Sequence, residues 1–204
     1  MTSNIGRIGI FGGSFNPLHQ GHLIVAEFAA ETLRLDRVFF APVVHPPHKD
    51  GRKLQPIEHR LAMIETAIAD NDRFHLTLVD VERPGPHYSV DTVKILEDMH
   101  PGSQLYFVMG GDSFRDFMRW HAPEEIVQHC RLGVMRRPST RPMQPTMHDD
   151  VMPGLSNYVD IIEAPPIGIS ATRVREQIKA GKSVRYLVPN PVLAYIHKNN
   201  LYQG

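Results

Sequence analysis

The sequence predicts a single α/β domain of the Rossmann-like, doubly wound type, with a mainly parallel sheet and C-terminal helices. Short apolar runs rich in β-branched and aromatic residues alternate with amphipathic helical stretches, which is typical of a parallel sheet covered by helices. Each apolar run ends in glycine, proline or polar residues. At 204 residues the chain is long enough for one buried core and short for two catalytic domains, so we predict one domain over residues 1–204.

Periodicity and residues that start or stop elements predict the order along the chain. The predicted strands are residues 7–11, 37–42, 74–80, 104–109, 131–135 and 158–163. The predicted helices are residues 21–33, 57–69 and 90–99, followed by two at the end of the chain. The first of these two has Ser170 as N-cap and stops at Gly181, and the second has Pro191 in its first turn. Residues 136–157 carry four prolines, which predicts a surface excursion.

The helix at 57–69 is predicted to be a core helix without a direct role in ligand binding. Its apolar residues are spaced for one buried face, made of Leu61, Ile64, Ala67 and Ile68.

Composition excludes several classes of protein. Lys plus Arg and Asp plus Glu are equal at 22 each, so no global field would attract nucleic acid or an anionic membrane surface. The one cysteine, Cys130, excludes an intramolecular disulfide and a cysteine-rich zinc site, and we expect it to be a packed core thiol. Nowhere do about 18 apolar residues run together, and no leader pattern stands at the N-terminus. We therefore expect a cytoplasmic protein.

A glycine-rich segment, residues 12–22, directly follows the first predicted strand, where open α/β sheets bind ligands. Gly12 and Gly13 would let the backbone approach a phosphate, and the next helix would offer free N–H groups and the positive end of its dipole. A dinucleotide-binding dehydrogenase is the rival interpretation. Its G-x-G-x-x-G fingerprint is absent, because the glycines fall at 12, 13 and 21.

His19 and His22 lie three residues apart around Gly21, so both imidazoles can face one point at the start of the helix. Imidazole N–H groups there could hydrogen-bond an α-phosphate during group transfer. For one histidine alone, a backbone-capping role is the better interpretation. A zinc site is disfavoured because no third ligand stands at a recognisable spacing and H-E-x-x-H is missing, so we predict no metal bound by protein side chains.

A second segment, residues 168–175, is predicted to bind phosphates at the start of a helix. Thr172 and Arg175 share a helix face, and Ser170 adds a hydroxyl at the positive helix end. Together these groups would hold the β- and γ-phosphates of a nucleotide. The alternative is an ordinary serine N-cap followed by solvated arginines.

These two segments resemble the HxGH-type nucleotidyltransferases and, within that superfamily, the bacterial nicotinate-nucleotide adenylyltransferases. Further landmarks occur in order over essentially the whole chain: Pro46-Pro47-His48-Lys49, residues 83–92, Gly110-Gly111-Asp112-Ser113, Trp120, Arg136-Arg137-Pro138, Tyr195-Ile196 and Leu201-Tyr202. The chain departs from the family pattern at His87, where serine is common, and at Ser89, where threonine is common. The middle motifs favour a pyridine substrate over those of sister enzymes, which use phosphopantetheine or glycerol phosphate.

The resemblance implies a role for each matching residue. The residues implied to be catalytic are His19, His22 and Arg175. Those implied to bind ATP are Gly12, Gly13, Ser14, Phe15, Gly110, Asp112, Ser170 and Thr172. Those implied to bind the mononucleotide are Lys49, Tyr88, Ser89, Trp120 and Arg137. Asp112 is expected on a ribose, with capping of a turn as its alternative, and Trp120 beside the pyridine ring, which also suits a tryptophan in a polar stretch.

The reaction implied is adenylyl transfer from ATP to nicotinate mononucleotide, giving nicotinate adenine dinucleotide and pyrophosphate in NAD biosynthesis. Mg²⁺ would enter with the ATP phosphates and need no dedicated protein cage. Neither nucleic acid nor membrane is an expected partner, and the oligomeric state stays open. The rivals are a sister transferase with another phosphorylated acceptor, nicotinamide mononucleotide as the acceptor, and a nucleotide-binding protein without turnover.

Overall fold

The computed structural model describes residues 6–44, 54–136 and 143–203. Its six described strands form one sheet in the order β3-β2-β1-β4-β5-β6, and all five neighbouring pairs are parallel. The chain builds outward from β1 in one direction and then from β4 in the other, so β1 and β4 meet at the point where the strand order reverses. Ligands bind beyond the carboxyl ends of the strands at such a point. The predicted doubly wound α/β class is confirmed.

Five of the six described strands begin at the predicted residue, and β6 begins one residue later, at Val159. They are β1 Arg7–Gly13, β2 Arg37–Pro42, β3 Phe74–Leu76, β4 Gln104–Gly110, β5 Arg131–Arg136 and β6 Val159–Glu163. The predicted strand 74–80 is wrong beyond Leu76. There the Thr77 hydroxyl accepts a hydrogen bond from the Val79 N–H (3.4 Å), which turns the chain into a short helix.

The helices flank the sheet on both faces. They are α1 Gln20–Leu33, α2 Ile57–Ile68, α3 Val79–Glu82, α4 Ser89–Met99, α5 Gly111–Arg115, α6 Pro123–His129, α7 Ala171–Lys179 and α8 Asn190–Lys198, with 3₁₀ turns at Phe117–Arg119 and Leu155–Tyr158. Periodicity did not predict α3, α5 or α6, because helices of four to seven residues are too short to show an apolar repeat. None of the described helices is long and apolar enough to cross a membrane.

Buried side chains fill both faces of the sheet. On one face Phe40, Ile64 and Val174 pack among α1, α2, α7 and α8, and on the other Phe107 and Ile126 pack among α4, α5 and α6. These two layers fix the carboxyl ends of β1 and β4, and thereby the loops that follow them.

The buried face of α2 differs from the prediction. Leu61 is half-exposed, whereas Met63 and Arg60 are buried, Arg60 to 1% relative exposure. An arginine on a predicted apolar face has no signature in the sequence, because arginine is almost always a surface residue.

Cys130 lies in the core, where its thiol donates to the Ile126 carbonyl (3.3 Å). Burial raises the pKa of this thiol to about 12, which keeps it in the neutral form. The packed core thiol expected from the sequence is confirmed.

Candidate active site

A cavity of about 510 Å³ opens at the carboxyl ends of β1 and β4 and collects most of the predicted site residues. The predicted residues that line it are Gly12, Gly13, Ser14, His19, His22, Tyr88, Ser89, Gly110, Asp112, Trp120, Ser170, Thr172 and Arg175. The lining residues that come from 12–22 and 168–175 are here called the phosphate end. The lining residues Tyr88, Trp120 and His121 are here called the aromatic end. Lys49 and Arg137 lie outside the described residues.

The two histidines of the phosphate end are held against each other at the start of α1. His19 is the N-cap residue, and its backbone N–H donates to Nδ1 of His22 (3.1 Å). The imidazole rings stack with centroids 3.6 Å apart and planes 19° apart. Because Nδ1 of His22 accepts a hydrogen bond, neutral His22 carries its proton on Nε2, which leaves Nε2–H as its donor.

Gly21 stands between these histidines at a position where a side chain would be tightly packed. A Cβ at Gly21 would lie 3.0 Å from Nδ1 of His19 and 3.1 Å from Cγ2 of Ile167. The sequence indicates glycines for close approach of a phosphate; the structure adds that Gly21 leaves room for the His19 ring and the Ile167 side chain.

The Phe15 side chain is buried and packs against the His22 ring. This side chain is 1% exposed and does not line the cavity, in contrast to the other predicted residues of the loop. Its ring meets the His22 ring edge-on (centroids 5.1 Å apart), and a Cβ at Gly13 would lie 2.9 Å from it. Any contact of Phe15 with a nucleotide must therefore be made by its backbone.

Arg175 joins the two predicted phosphate motifs, which are about 150 residues apart in the chain. Its Nη1 donates to the backbone oxygen of Asn16 (2.7 Å), and its Nη2 donates to Oγ1 of Thr172 (3.2 Å). Ser170 caps α7 by accepting from the Arg173 N–H (3.2 Å). The ordinary N-cap role of Ser170 is thus real, and Ser170 still lines the cavity.

At the aromatic end, Tyr88 stacks on His121, with centroids 4.1 Å and planes 23° apart. Trp120 meets Phe107 edge-on (centroids 5.5 Å apart) and is half-buried. Both predicted rings line the cavity, but the ring that stacks on Tyr88 is His121, which sequence reasoning missed. The available signal was the position of His121 directly after Trp120.

The turn before α4 is fixed by Arg83. Its guanidinium donates to the backbone oxygens of Pro86 (2.8 Å) and Tyr88 (3.1 Å), and it pairs with the buried Asp80 carboxylate (2.9 Å). These contacts set where Tyr88 and Ser89, the first residue of α4, stand at the cavity.

Asp112 lies in the first turn of α5, two residues after Gly110 at the end of β4. Its carboxylate is 77% exposed and pairs with Arg115 of the same helix. A Cβ at Gly110 would meet nothing within 4 Å, so the cavity is open beside this residue.

Among the described residues no three His, Cys, Asp or Glu lie close enough together to hold a metal ion.

Known proteins match this chain over nearly its whole length. The cytidylyltransferase-like family matches residues 10–177. A protein of Thermomicrobium roseum named as a probable nicotinate-nucleotide adenylyltransferase is 43% identical, covering 97% of this chain and 92% of its own. One of the same name from Salinibacter ruber is 40% identical over 96% of this chain and 97% of its own.

Solved structures agree with the fold. Nicotinic acid mononucleotide adenylyltransferase of Plasmodium falciparum, in complexes with APC and with NaAD, superposes with TM-scores of 0.75 and 0.76. Each comparison covers 97% of both chains at 20% identity, which shows a shared fold. Because the curated relatives are far more similar in sequence, they also show the family. The chain therefore belongs to the nicotinate-nucleotide adenylyltransferases of the cytidylyltransferase-like family, as the motifs predicted.

Proposed function

We propose that this protein transfers the adenylyl group of ATP to nicotinate mononucleotide, releasing pyrophosphate and forming nicotinate adenine dinucleotide. The names of its relatives support this reaction. The observation that carries it is that His19, His22 and Arg175 line the same cavity as Tyr88 and Trp120. Such a cavity suits two ligands that react where they meet.

In the proposed step a phosphate oxygen of the mononucleotide attacks the α-phosphorus of ATP in line. A new P–O bond forms as the bond from the α-phosphorus to the bridging oxygen breaks, and that oxygen leaves with its electron pair in pyrophosphate. The nucleophile is already an anion at neutral pH, so catalysis depends on positioning and charge stabilisation instead of a strong base. We assign His19 and His22 as donors to the reacting phosphates, with Nε2–H as the donor of His22.

The departing pyrophosphate is assigned to the start of α7. The N-terminal N–H groups of this nine-residue helix, the Thr172 hydroxyl and the Arg175 guanidinium face the same cavity. Gly12, Gly13, Ser14 and the backbone of Phe15 would contact the nucleotide from the loop after β1. Gly110 and Asp112 would contact it from the end of β4. Lys49 is proposed to add positive charge.

Mg²⁺ fits this site as a companion of the ATP phosphates. Asp112 is the acidic residue that lines the cavity within the described ranges, and its carboxylate already pairs with Arg115. One carboxylate does not make a protein cage for a hard cation, which needs several oxygen ligands. We infer that the triphosphate supplies most oxygen ligands and that the ion neutralises charge on the leaving group.

The aromatic end is assigned to the pyridine ring, with Tyr88 and Trp120 along its faces, Ser89 beside it and Arg137 as a further contact. The turn at Tyr88 and Ser89 begins α4, whose first N–H groups suit a carboxylate. No Asp or Glu stands between Gly85 and Val90 to accept from an amide. Nicotinate mononucleotide should therefore be preferred over nicotinamide mononucleotide.

A pyrophosphate-release assay with ATP·Mg²⁺ or CTP·Mg²⁺ tests this proposal against its rivals. The acceptors are nicotinate mononucleotide, nicotinamide mononucleotide, phosphopantetheine and glycerol 3-phosphate. We expect release with ATP and nicotinate mononucleotide above every other pair. Release that depends on phosphopantetheine or glycerol 3-phosphate would support a sister transferase, and binding of ATP without release would support a nucleotide-binding protein.

A further inference from the structure

Arg60, on α2, lies beneath the loop of the phosphate end and is among the largest fully buried side chains of the protein. Its guanidinium donates to four backbone carbonyl oxygens: those of Ser14 (3.0 Å), Val43 (2.8 Å), Val44 (3.3 Å) and Gln55 (3.1 Å). Burial lowers the pKa of this guanidinium. One side chain thus joins three separate stretches of backbone.

Burying such a cation costs desolvation free energy that an apolar side chain would not cost. A well-packed apolar side chain of similar volume is often as stabilising as a buried charge, or more so. What an apolar side chain cannot do is donate several hydrogen bonds in fixed directions, as the planar guanidinium does. The distinctive effect of Arg60 is therefore to fix where those carbonyl groups point.

The Ser14 carbonyl shows the consequence for the loop. The peptide unit is planar, and when it is trans its N–H points opposite to its C=O. Because Arg60 draws the Ser14 oxygen toward α2, a trans unit turns the Phe15 N–H away from α2. The orientation of this backbone donor then depends on a side chain that does not line the cavity.

Asn16 is the second fixed point of the loop. It is 2% exposed, and both its carbonyl oxygens accept hydrogen bonds. The side-chain oxygen accepts from the Tyr202 hydroxyl (2.9 Å) and from the Gln55 N–H (3.2 Å). The backbone oxygen accepts from Arg175 Nη1 (2.7 Å), so Asn16 connects the end of the chain to the guanidinium assigned to pyrophosphate.

Tyr202 is suited to act as a permanent donor in this network. Its side chain is buried, and burial raises the pKa of its hydroxyl even though Arg175 and Arg60 oppose the rise. The hydroxyl therefore stays protonated at any ordinary assay pH. It reaches Asn16 across 186 residues of sequence.

We propose that Arg60 and Tyr202 are positioning residues for the phosphate end. Arg60 sets the direction of the loop backbone at Ser14, and Tyr202 holds Asn16 so that Asn16 in turn holds Arg175. Neither side chain lines the cavity, so both act through other residues. This inference rests on the proposed function for its ligands, ATP and pyrophosphate.

The direct test is Tyr202→Phe, which removes the hydroxyl and keeps the ring. Its matched control is Tyr195→Phe, which also removes a tyrosine hydroxyl near the end of the chain, one that hydrogen-bonds Nδ1 of His59 (3.0 Å). Calorimetric titration with ATP·Mg²⁺, pyrophosphate and nicotinate mononucleotide is carried out on both variants and the wild type. We expect Tyr202→Phe to weaken ATP and pyrophosphate about 5–10-fold, the scale of one hydrogen bond, and the mononucleotide less than about twofold.

Tyr195→Phe should leave all three affinities unchanged even where it lowers the melting temperature. Tyr202→Phe binding all three ligands as the wild type does, or losing affinity equally for all three, would overturn the proposal. Arg60→Lys gives a second measurement, since it keeps the charge but loses the planar fork. Its KM for ATP should rise more than its KM for the mononucleotide, and an equal rise in both would leave Arg60 with a structural role.

Failure of this inference is distinct from failure of the proposed function. Titrations with ATP and pyrophosphate need no acceptor and no turnover, so the loop is tested even if nicotinate mononucleotide is not the substrate. Absence of pyrophosphate release by the wild type with every acceptor would refute the reaction and leave the binding comparison standing.

Discussion

At the phosphate end of the cavity, Asn16 is 2% exposed and accepts hydrogen bonds through both carbonyl oxygens, whereas at the aromatic end Tyr88 meets His121 through stacked rings. The first kind of contact is directional, because a hydrogen bond weakens steeply away from its preferred angle. Stacking tolerates sliding of one ring over the other. The contrast teaches that hydrogen bonds place the loop backbone at the phosphate end, whereas at the aromatic end Arg83 places the backbone of the turn and the Tyr88 ring itself meets its neighbour through stacking.

Loss of either histidine should have the largest effect. We expect His19→Ala and His22→Ala each to lower kcat by about 10²–10³, the scale of losing one donor to the transition state, with the fold retained. Single-turnover rates with ATP and nicotinate mononucleotide measure this, and His197→Ala, at an exposed histidine in the last turn of α8, is the control. Near-normal turnover in both variants would remove the histidines from the chemistry.

Arg175 tests whether the two ends are separable in binding. Arg175→Ala should weaken ATP and pyrophosphate by about 10–100-fold, since a hydrogen bond to a charged group is worth roughly 1.5–3 kcal/mol, and should weaken the mononucleotide much less. The control is Arg173→Ala, an exposed arginine of the same helix that does not line the cavity. Equal losses for all ligands would mean that Arg175 only supports the site.

Trp120 tests whether the aromatic end binds the mononucleotide independently of the phosphate end. Trp120→Ala should raise the KM for nicotinate mononucleotide about 2–10-fold and leave pyrophosphate binding unchanged, because ring stacking contributes roughly 0.5–1.5 kcal/mol. Trp120→Phe keeps a ring against Phe107 and should restore most of the affinity. A change in pyrophosphate binding as large as that for the mononucleotide would show that the two ends are not independent.

Below about pH 6.5 a small loss of stability should arise from His75 and His100, two histidines that do not line the cavity. Burial and Arg37 lower the pKa of His75 and of His100, with Asp72 partly opposing the shift at His75. The unfolded chain therefore takes up protons first as the pH falls below about 6.5, so stability declines there. The double variant His75→Gln/His100→Gln should flatten the melting temperature between about pH 6.5 and pH 5. An unchanged slope would assign the decline to other groups.

The sequence could predict the parts that depend on local pattern. The strands β1, β2 and β4 are short apolar runs that end in glycine or proline, and His19, His22 and Arg175 stand in recognisable motifs at helix starts. These motifs fall at the carboxyl ends of parallel strands, so their meeting in one cavity follows from the fold class.

The residues that sequence reasoning missed act over long distances in the chain. Arg60 stands on a helix whose other buried residues are apolar, and its role appears only when Ser14 and Val43 are placed beside it. In the sequence Tyr202 is only a family landmark, because its partner Asn16 is 186 residues away. Neither periodicity nor a capping rule predicts such contacts, because they depend on how helices and loops that are distant in the sequence pack together.

The most direct test of the central claim is kcat/KM for nicotinate and nicotinamide mononucleotides at the same ATP and Mg²⁺, in the wild type, His19→Ala and Trp120→Ala. Stranding an amide NH₂ among donors costs roughly 1–3 kcal/mol, so the wild type should prefer the acid by about 10–100-fold. His19→Ala should lower both values and keep their ratio, and Trp120→Ala should reduce the ratio. Equal or reversed values in the wild type, or a ratio that changes with His19 and not with Trp120, would contradict the account.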